Sequence, residues 1–386
     1  MSIGIDALAI AAPEAYLELE DLAVARGVPP SKFSEGLGVR RMGIASPHED
    51  PVALGARAGR RLLEKAGIDP ARVGLLIVGT ETAVDHSKPV AAWIHRLLGL
   101  GSRCRTYETK HACFGGTAGV LTATEWLASG AARGKSAVVI CTDIARYELG
   151  SAGEPTQGAG AVAIHISEEP RLLELEVGVT GSFTREVDDF WRPLDRTEAL
   201  VDGKLSVSSY LEALDGAFSA WREACAAAGL EGPLARRCYH VPYGKMARKA
   251  HRRALALEGF SEEAADATFD LQVAPSLRLP AEVGNIYTGS LWMALASLLD
   301  AEAAQLEGQR IGLFSYGSGS AAEQFAGRVA KGAGAFARFL QLAEPLQGRR
   351  KLTFAEYERL RRGLDAPRPQ GAPAFLGVAE GRRRYS

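Results

Sequence analysis

The chain has 386 residues, 47% of them hydrophobic and 24% charged, a composition of ordinary globular proteins with room for two packed layers or domains. Its 45 Lys and Arg nearly cancel 46 Asp and Glu, so no global field draws it to nucleic acid or an anionic membrane. No stretch is long and apolar enough to span a bilayer, no basic residue precedes Arg26, and the five cysteines form no CxxC pair; a reducing cytoplasm is the expected compartment.

In chain order, the first well-marked element is a helix from Pro51 to about Ala66. Asp50 is its natural N-cap, Pro51 suits the first position, Leu54, Ala58, Leu62 and Leu63 share one side, and Gly67 marks the exit. Short apolar runs predict buried strands at "VGLLIVGT" (near 74–81), "SAVVICTD" (136–143), "GAVAIHI" (160–166) and "RIGLFSYG" (310–317). Alanine-rich helical stretches separate them, which points to α/β layers. A further helix should begin at Thr353, where Glu356 completes a capping box. The basic clusters "GRRKL", "RLRRG" and "GRRRYS" read as solvated surface at a frayed C-terminus.

The stretch "ETKHACFGGTAG" places Cys113 just before a helix whose Val120, Leu121, Thr124 and Leu127 suit burial. A thiol at a helix N-terminus meets unpaired N–H groups and the positive end of the dipole, which favour thiolate. Gly115 and Gly116 would admit an acyl group or a passing backbone. Read alone, a single cysteine is more often a small buried hydrophobe. Glu81 stands where a strand meets a loop, the usual place for a catalytic group, but a lone carboxylate there is more often a cap or an ion-pair partner. A lone histidine such as His240 in "CYHVPYGKM" is more often a structural group than a catalyst. Lys245 and Lys249, one helical turn apart, are a phosphate patch or a solvated face. "TQGAGAV" and "SYGSGSAAE" lack a full GxGxxG or a Walker lysine and read as tight turns between strands, and no HExxH, GxSxG or EF-hand pattern occurs.

Two segments, "CFGGTAGVLTATEWLASGAARGKSAVVICTD" and "NIYTGSLWMALASLLDAEAAQLEGQRIGLFSYG", follow one plan: polar residue, small-residue bend, apolar helix, loop, buried strand. Duplication explains this, as does the frequency of helix–strand units in α/β proteins. Under duplication Cys113 and Asn285 occupy equivalent helix N-termini facing one cleft.

Eight ordered segments, among them "VGTETAVDHSK", "KHACFGGTAG", "DFWRPL", "CYHVPYGKMARKA", "VGNIYTGSLWMALASLL" and "GLFSYGSGSAAE", resemble the 3-hydroxy-3-methylglutaryl-CoA (HMG-CoA) synthase family of the thiolase-like superfamily. The resemblance implies an α/β, thiolase-like fold of two similar halves, layered αβαβα, with boundaries near 1–167 and 168–386, an active site between them, and a homodimer. It implies Cys113 as acyl-accepting nucleophile, Glu81 as general acid/base and His240 as the group orienting the second substrate. Tyr147, Thr156, Ser206, Asn285 and Ser318 fall on substrate-lining positions, and Lys245 and Lys249 on CoA-contacting ones. Backbone N–H groups at Cys113 and near Ser318 would hold an oxyanion. The implied substrates are acetyl-CoA and acetoacetyl-CoA, with no metal or other cofactor. Alternatives are a β-branching enzyme of polyketide assembly acting on a group carried by an acyl carrier protein, an ordinary ketoacyl synthase or thiolase, and a non-catalytic acyl-CoA-binding relative. This chain departs from many relatives in having His111 and Phe114 beside the nucleophile.

Overall fold

A computed structural model describes residues 2–363 and 373–386. Eleven strands are needed to locate the site: β1 (Ile3–Ala11), β2 (Val73–Gly79), β3 (Arg105–Thr109), β4 (Ser136–Ala145), β5 (Gly158–Glu168), β6 (Leu173–Thr184), β7 (Phe190–Trp191), β8 (Leu200–Val201), β9 (Arg236–Tyr239), β10 (Arg310–Gly317) and β11 (Ala321–Val329). Nine of them form one sheet in the order β9-β10-β11-β6-β1-β5-β4-β2-β3, while β7 and β8 pair as a separate short ribbon. The predicted strands lie within β2, β4, β5 and β10, each buried on both faces over most of its length, as their continuous Val, Ile, Leu and Ala runs require.

The sheet repeats one arrangement. On one side β2 runs parallel to β4, and β4 turns back antiparallel into β5. On the other side β9 runs parallel to β10, and β10 turns back into β11. The helices entering the central strands also correspond: α3 (Gly115–Ala128) leads to β4, and α6 (Ser290–Leu306) leads to β10. Hence Glu81, just past β2, and His240, just past β9, stand at matching strand ends. Carboxyl ends of parallel strands are where α/β sheets bind ligands.

The local signals for helix ends act as expected. Helix α1 (Pro51–Ala66) is capped by Asp50, whose carboxylate accepts from the Ala53 N–H at 2.9 Å, and it closes on left-handed Gly67. Helix α7 (Phe354–Arg361) begins with a complete Thr353/Glu356 capping box. The helices that shape the cavity are α4 (Gly203–Ala228) and α5 (Gly244–Leu257); α2 (Val90–Leu97) packs under the C-terminus.

Two expectations change. "TQGAGAV" is mostly strand β5 rather than a turn, and its glycines are there because backbone passes close by. A Cβ on Gly158 would lie 2.5 Å from the Val283 carbonyl oxygen, and one on Gly160 would lie 2.9 Å from that of Ala11. The C-terminus is not frayed: Phe375–Ala379 and Arg382–Tyr385 form a hairpin, and Arg383 and Tyr385 each donate to Asp50 Oδ2 at 2.6 Å. Tyr385 also packs on Trp93 of α2. The arginines there are partly side chains with a docking partner, which charge counting alone does not distinguish from solvated ones.

Candidate active site

Cys113 lies two residues before α3, between Ala112, held at φ 38°, and Phe114, the N-cap position. Its glycines serve packing. A Cβ on Gly116 would come within 2.8 Å of the Thr288 carbonyl oxygen, and one on Gly79 would come within 2.5 Å of the Gly116 Cα. Of the two uses expected for these glycines, close approach of backbone is the one realised: the start of α3 sits directly on the end of β2 and on residues leading into α6.

A cavity of about 260 Å³ opens at Cys113. Tyr147, Thr156, Ser206, His240, Asn285 and Ser318 also line it, so seven of the ten residues singled out from sequence meet at one place. Its remaining wall is largely apolar and aromatic, including Phe190, Val207, Tyr210, Met246 and Tyr316. That is the usual make-up of a site that excludes water around a few polar groups. A larger depression of about 480 Å³, between Ala12–Ala15 and Pro345–Leu360, contains none of these residues.

Lys245 and Lys249 lie outside the cavity. Both are on α5, which contributes Met246 to the wall; Lys245 is exposed and Lys249 half-buried, and neither is ion-paired among the described residues. They stand as free cations on the element that borders the site.

The Glu81 side chain is buried, and each of the residue's polar atoms but one is engaged among the described residues. Its N–H donates to Asp143 Oδ1 at 2.9 Å, while Arg192 donates to its carbonyl oxygen at 2.8 Å and to Oε1 at 2.9 Å. Oε2 has no partner among the described residues. Burial, reinforced by the Asp143 carboxylate and opposed by Arg192, pushes the Glu81 carboxyl up to about 8.

Asp143 and Arg192 are functional-site residues that sequence reasoning left without a role. Asp143, at the end of β4 and fully buried, accepts through Oδ1 from Thr80 Oγ1, the N–H groups of Glu81 and Thr82, and Thr82 Oγ1. Through Oδ2 it accepts from the N–H and hydroxyl of Thr288, just ahead of α6. One carboxylate thus ties the Glu81 loop to the chain segment that follows Asn285. Asp189 does similar work across the cavity, accepting from Tyr316 Oη at 2.9 Å and from the Gly319 N–H at 3.0 Å, which holds the turn bearing Ser318. A charged residue ending an apolar run, as in "VVICTD", or set among aromatics, as in "DFWRPL", was the available signal.

The charge state of Cys113 reverses the expectation of a ready thiolate. Burial, with the carboxylates of Glu81, Asp143 and Asp189 nearby, pushes the thiol well above its ordinary value, and this outweighs the helix N-terminus. The resting nucleophile is a thiol whose proton must leave as the acyl group arrives.

His240 is buried. Its N–H donates to the Phe314 carbonyl at 2.7 Å and its carbonyl accepts from Tyr210 Oη at 3.0 Å. Burial depresses its imidazole to about 3, so the ring is neutral at physiological pH and offers one N–H and one lone pair. Asn285 Oδ1 accepts from the Tyr287 N–H and from Ser290 Oγ, both at 2.8 Å, which leaves its amide N–H groups for the cavity. His111 is half-buried, edge-on to Phe114, and burial lowers its pKa.

Comparison with known proteins agrees with this geometry. The profile "Hydroxymethylglutaryl-coenzyme A synthase N terminal" matches residues 1–170, and the corresponding C-terminal profile matches 173–266 and 254–362. The chain is 38% identical to the hydroxymethylglutaryl-CoA synthase of Enterococcus faecalis over 364 residues, covering 93% of this chain and 91% of that one. Among solved structures it resembles MvaS in complex with 3-hydroxy-3-methylglutaryl coenzyme A, with a TM-score of 0.96, 48% identity, and 100% and 99% of the two chains covered. It also resembles the HMG synthase of the curacin biosynthetic pathway in complex with holo donor-ACP, with a TM-score of 0.92, 30% identity and all of both chains covered. A cysteine at a helix start, with a carboxyl and an imidazole at matched strand ends, within a fold shared end to end with these proteins, has one reading: the chain belongs to the hydroxymethylglutaryl-CoA synthase family, acyl-transferring condensing enzymes of thiolase-like fold.

Proposed function

We propose that the protein condenses acetyl-CoA with acetoacetyl-CoA and hydrolyses the adduct to 3-hydroxy-3-methylglutaryl-CoA and free CoA. The observation that carries this is the convergence of Cys113, His240 and Asn285 on one largely apolar cavity; Glu81 is not in its lining but is among the groups whose charge acts on Cys113.

Cys113 sulfur attacks the acetyl-CoA thioester carbonyl, the thiol proton leaves, and CoA departs as a thiol, giving acetyl-Cys113. N–H groups at Cys113 and Ser318 are the proposed oxyanion donors. Glu81 carboxylate then removes a proton from the acetyl methyl group, and the resulting enolate carbon attacks the ketone carbon of acetoacetyl-CoA. The neutral His240 ring and the Asn285 amide donate to the oxygens that gain charge. The new alkoxide takes up the proton Glu81 removed, and water cleaves the Cys113 thioester, freeing the thiol and a carboxylate while the acceptor's CoA thioester stays intact in the product. Lys245 and Lys249 suit the phosphates of CoA because they are cations without an ion-pair partner among the described residues, on the helix that contributes Met246 to the cavity. A homodimer is the proposed assembly.

A second reading, in which an acyl carrier protein presents the substrate, is favoured by the likeness to the curacin synthase, whose solved complex contains a donor-ACP. Rates on CoA-bound and carrier-bound acceptors separate the two. The central test is intact-mass spectrometry after incubation with acetyl-CoA. Wild type should gain one acetyl on Cys113 and Cys113→Ala none, while Glu81→Ala should acetylate and release no thiol on adding acetoacetyl-CoA. Absence of thiol release by wild type with Cys113 titratable would sink the assignment.

A further inference from the structure

Arg192 makes a contact that the reaction described above does not use. It directly follows β7, at the start of the loop leading to β8, in the segment "DFWRPL", 111 positions from its partner Glu81. Its guanidinium holds Glu81 twice, through Nη1 on the carbonyl oxygen and Nη2 on Oε1. Because one planar group grips both the backbone and the carboxylate of the same residue, it fixes the side-chain torsions as well as the charge. The Asp143 contact fixes the Glu81 N–H from the other side, so Oε2 is left as the single unengaged oxygen.

The ribbon that delivers Arg192 is itself immobilised near the cavity. Phe190 packs edge-on against Tyr147 and Tyr287, at 6.4 and 5.7 Å between centroids, and Asp189 is anchored on Tyr316 and Gly319. The guanidinium also lies 5.9 Å from the centre of the Tyr287 ring. Arg192 has low exposure, 15%, and its Nε has no partner among the described residues.

We propose that Arg192 is a positioning residue for the acid/base step: it holds Glu81 Oε1 so that Oε2 alone takes the methyl proton, and it keeps a usable fraction of Glu81 ionised. This rests on Glu81 being the base.

The groups facing Glu81 are Asp143 from β4, Cys113 from the turn before α3, Tyr147 from beyond β4, Tyr287 from the turn before α6, and Arg192. All except Arg192 are neutral or anionic. Burial and Asp143 both oppose ionisation, and Arg192 is the one group that favours it. An opposite charge at this range moves a carboxyl by about one to three pH units.

The experiment is the pH dependence of condensation for wild type, Arg192→Gln, Arg192→Lys and Glu81→Ala, with acetylation of Cys113 by acetyl-CoA measured on each. The expected result is an ascending limb moved alkaline by one unit or more in Arg192→Gln, with acetylation retained. Arg192→Lys, which keeps the charge and loses the two-point grip, should return the limb to its wild-type position at a reduced kcat. A limb that stays in place in Arg192→Gln, with Glu81→Ala unable to condense, overturns the proposal and leaves Glu81 as the base. Condensation by Glu81→Ala at the wild-type rate overturns the reading of Glu81 and the proposal with it. If Arg192→Gln fails to acetylate, Arg192→Lys decides: wild-type kcat overturns the proposal, and reduced kcat on an unmoved limb supports it.

Discussion

Asp143→Asn replaces a buried carboxylate with a group of the same shape, and its consequence can be worked out bond by bond. The amide oxygen can take the place of Oδ1 and keep the donors from Thr80, Glu81 and Thr82. The amide NH2 then faces Thr288. The Thr288 hydroxyl has an alternative acceptor, the Gly79 carbonyl at 3.0 Å, but its backbone N–H has none and becomes a buried orphan. One orphaned donor costs about 1 to 3 kcal/mol, and loss of charge assistance on the bonds retained adds to it, so a total of about 3 kcal/mol is expected. At about 2.1 cal/mol/K of unfolding entropy per residue, that lowers Tm by about 4 °C in a 386-residue chain. Electrostatics moves a second observable. Asp143 raises the Glu81 carboxyl, so removing its charge lowers the Glu81 pKa, and the ascending limb of condensation should shift to lower pH, opposite to Arg192→Gln. Calorimetry and a pH profile on one preparation test both. An unchanged Tm together with a limb that stays or moves alkaline would refute the account of this carboxylate.

In the wild type, condensation should rise about tenfold per pH unit below about 8, where Glu81 gains its charge, and level off above; His240, at about 3, should add no limb in the neutral range. A flat steady-state profile from pH ~6 to ~8, with acetylation not limiting, would contradict this. Gly116→Ala places a Cβ against the Thr288 carbonyl at 2.8 Å and should cost about 1 to 3 kcal/mol while slowing Cys113 acetylation, read by denaturation and by mass spectrometry. Asp50→Ala removes both the α1 cap and the anchor of Arg383 and Tyr385; about 2 kcal/mol should be lost, and trypsin should cut the C-terminal hairpin sooner than in wild type.

Much of the scaffold was legible from local pattern. The runs around Ile77, Val139, Ile164 and Leu313 are fully buried strands, and the caps at Asp50 and Thr353 depend on residues three positions away. The helix start and the glycines beside it drew notice to Cys113, but its role, like those of His240 and Asn285, came through ordered resemblance. What escaped depends on distant partners. Asp143 meets Glu81 across 62 positions and Thr288 across 145, and Arg192 meets Glu81 across 111. The protonation of Cys113 was misread for the same reason: the helix N-terminus is visible in sequence, whereas Glu81, Asp143 and Asp189 gather only in the folded chain. Arg383 looked solvated because its acceptor, Asp50, lies 333 positions away.

The double allegiance of Asp143 has a consequence for any attempt to divide this protein. A fragment ending near residue 170 would carry the nucleophile, the base and Asp143 itself, but neither Thr288 nor Arg192. Its base would keep one of the two grips that set its orientation and would lose its only positive neighbour. The chemistry therefore belongs to the seam between the two repeats. Neither side of that seam can shift against the other without disturbing a carboxylate that residues of both hold.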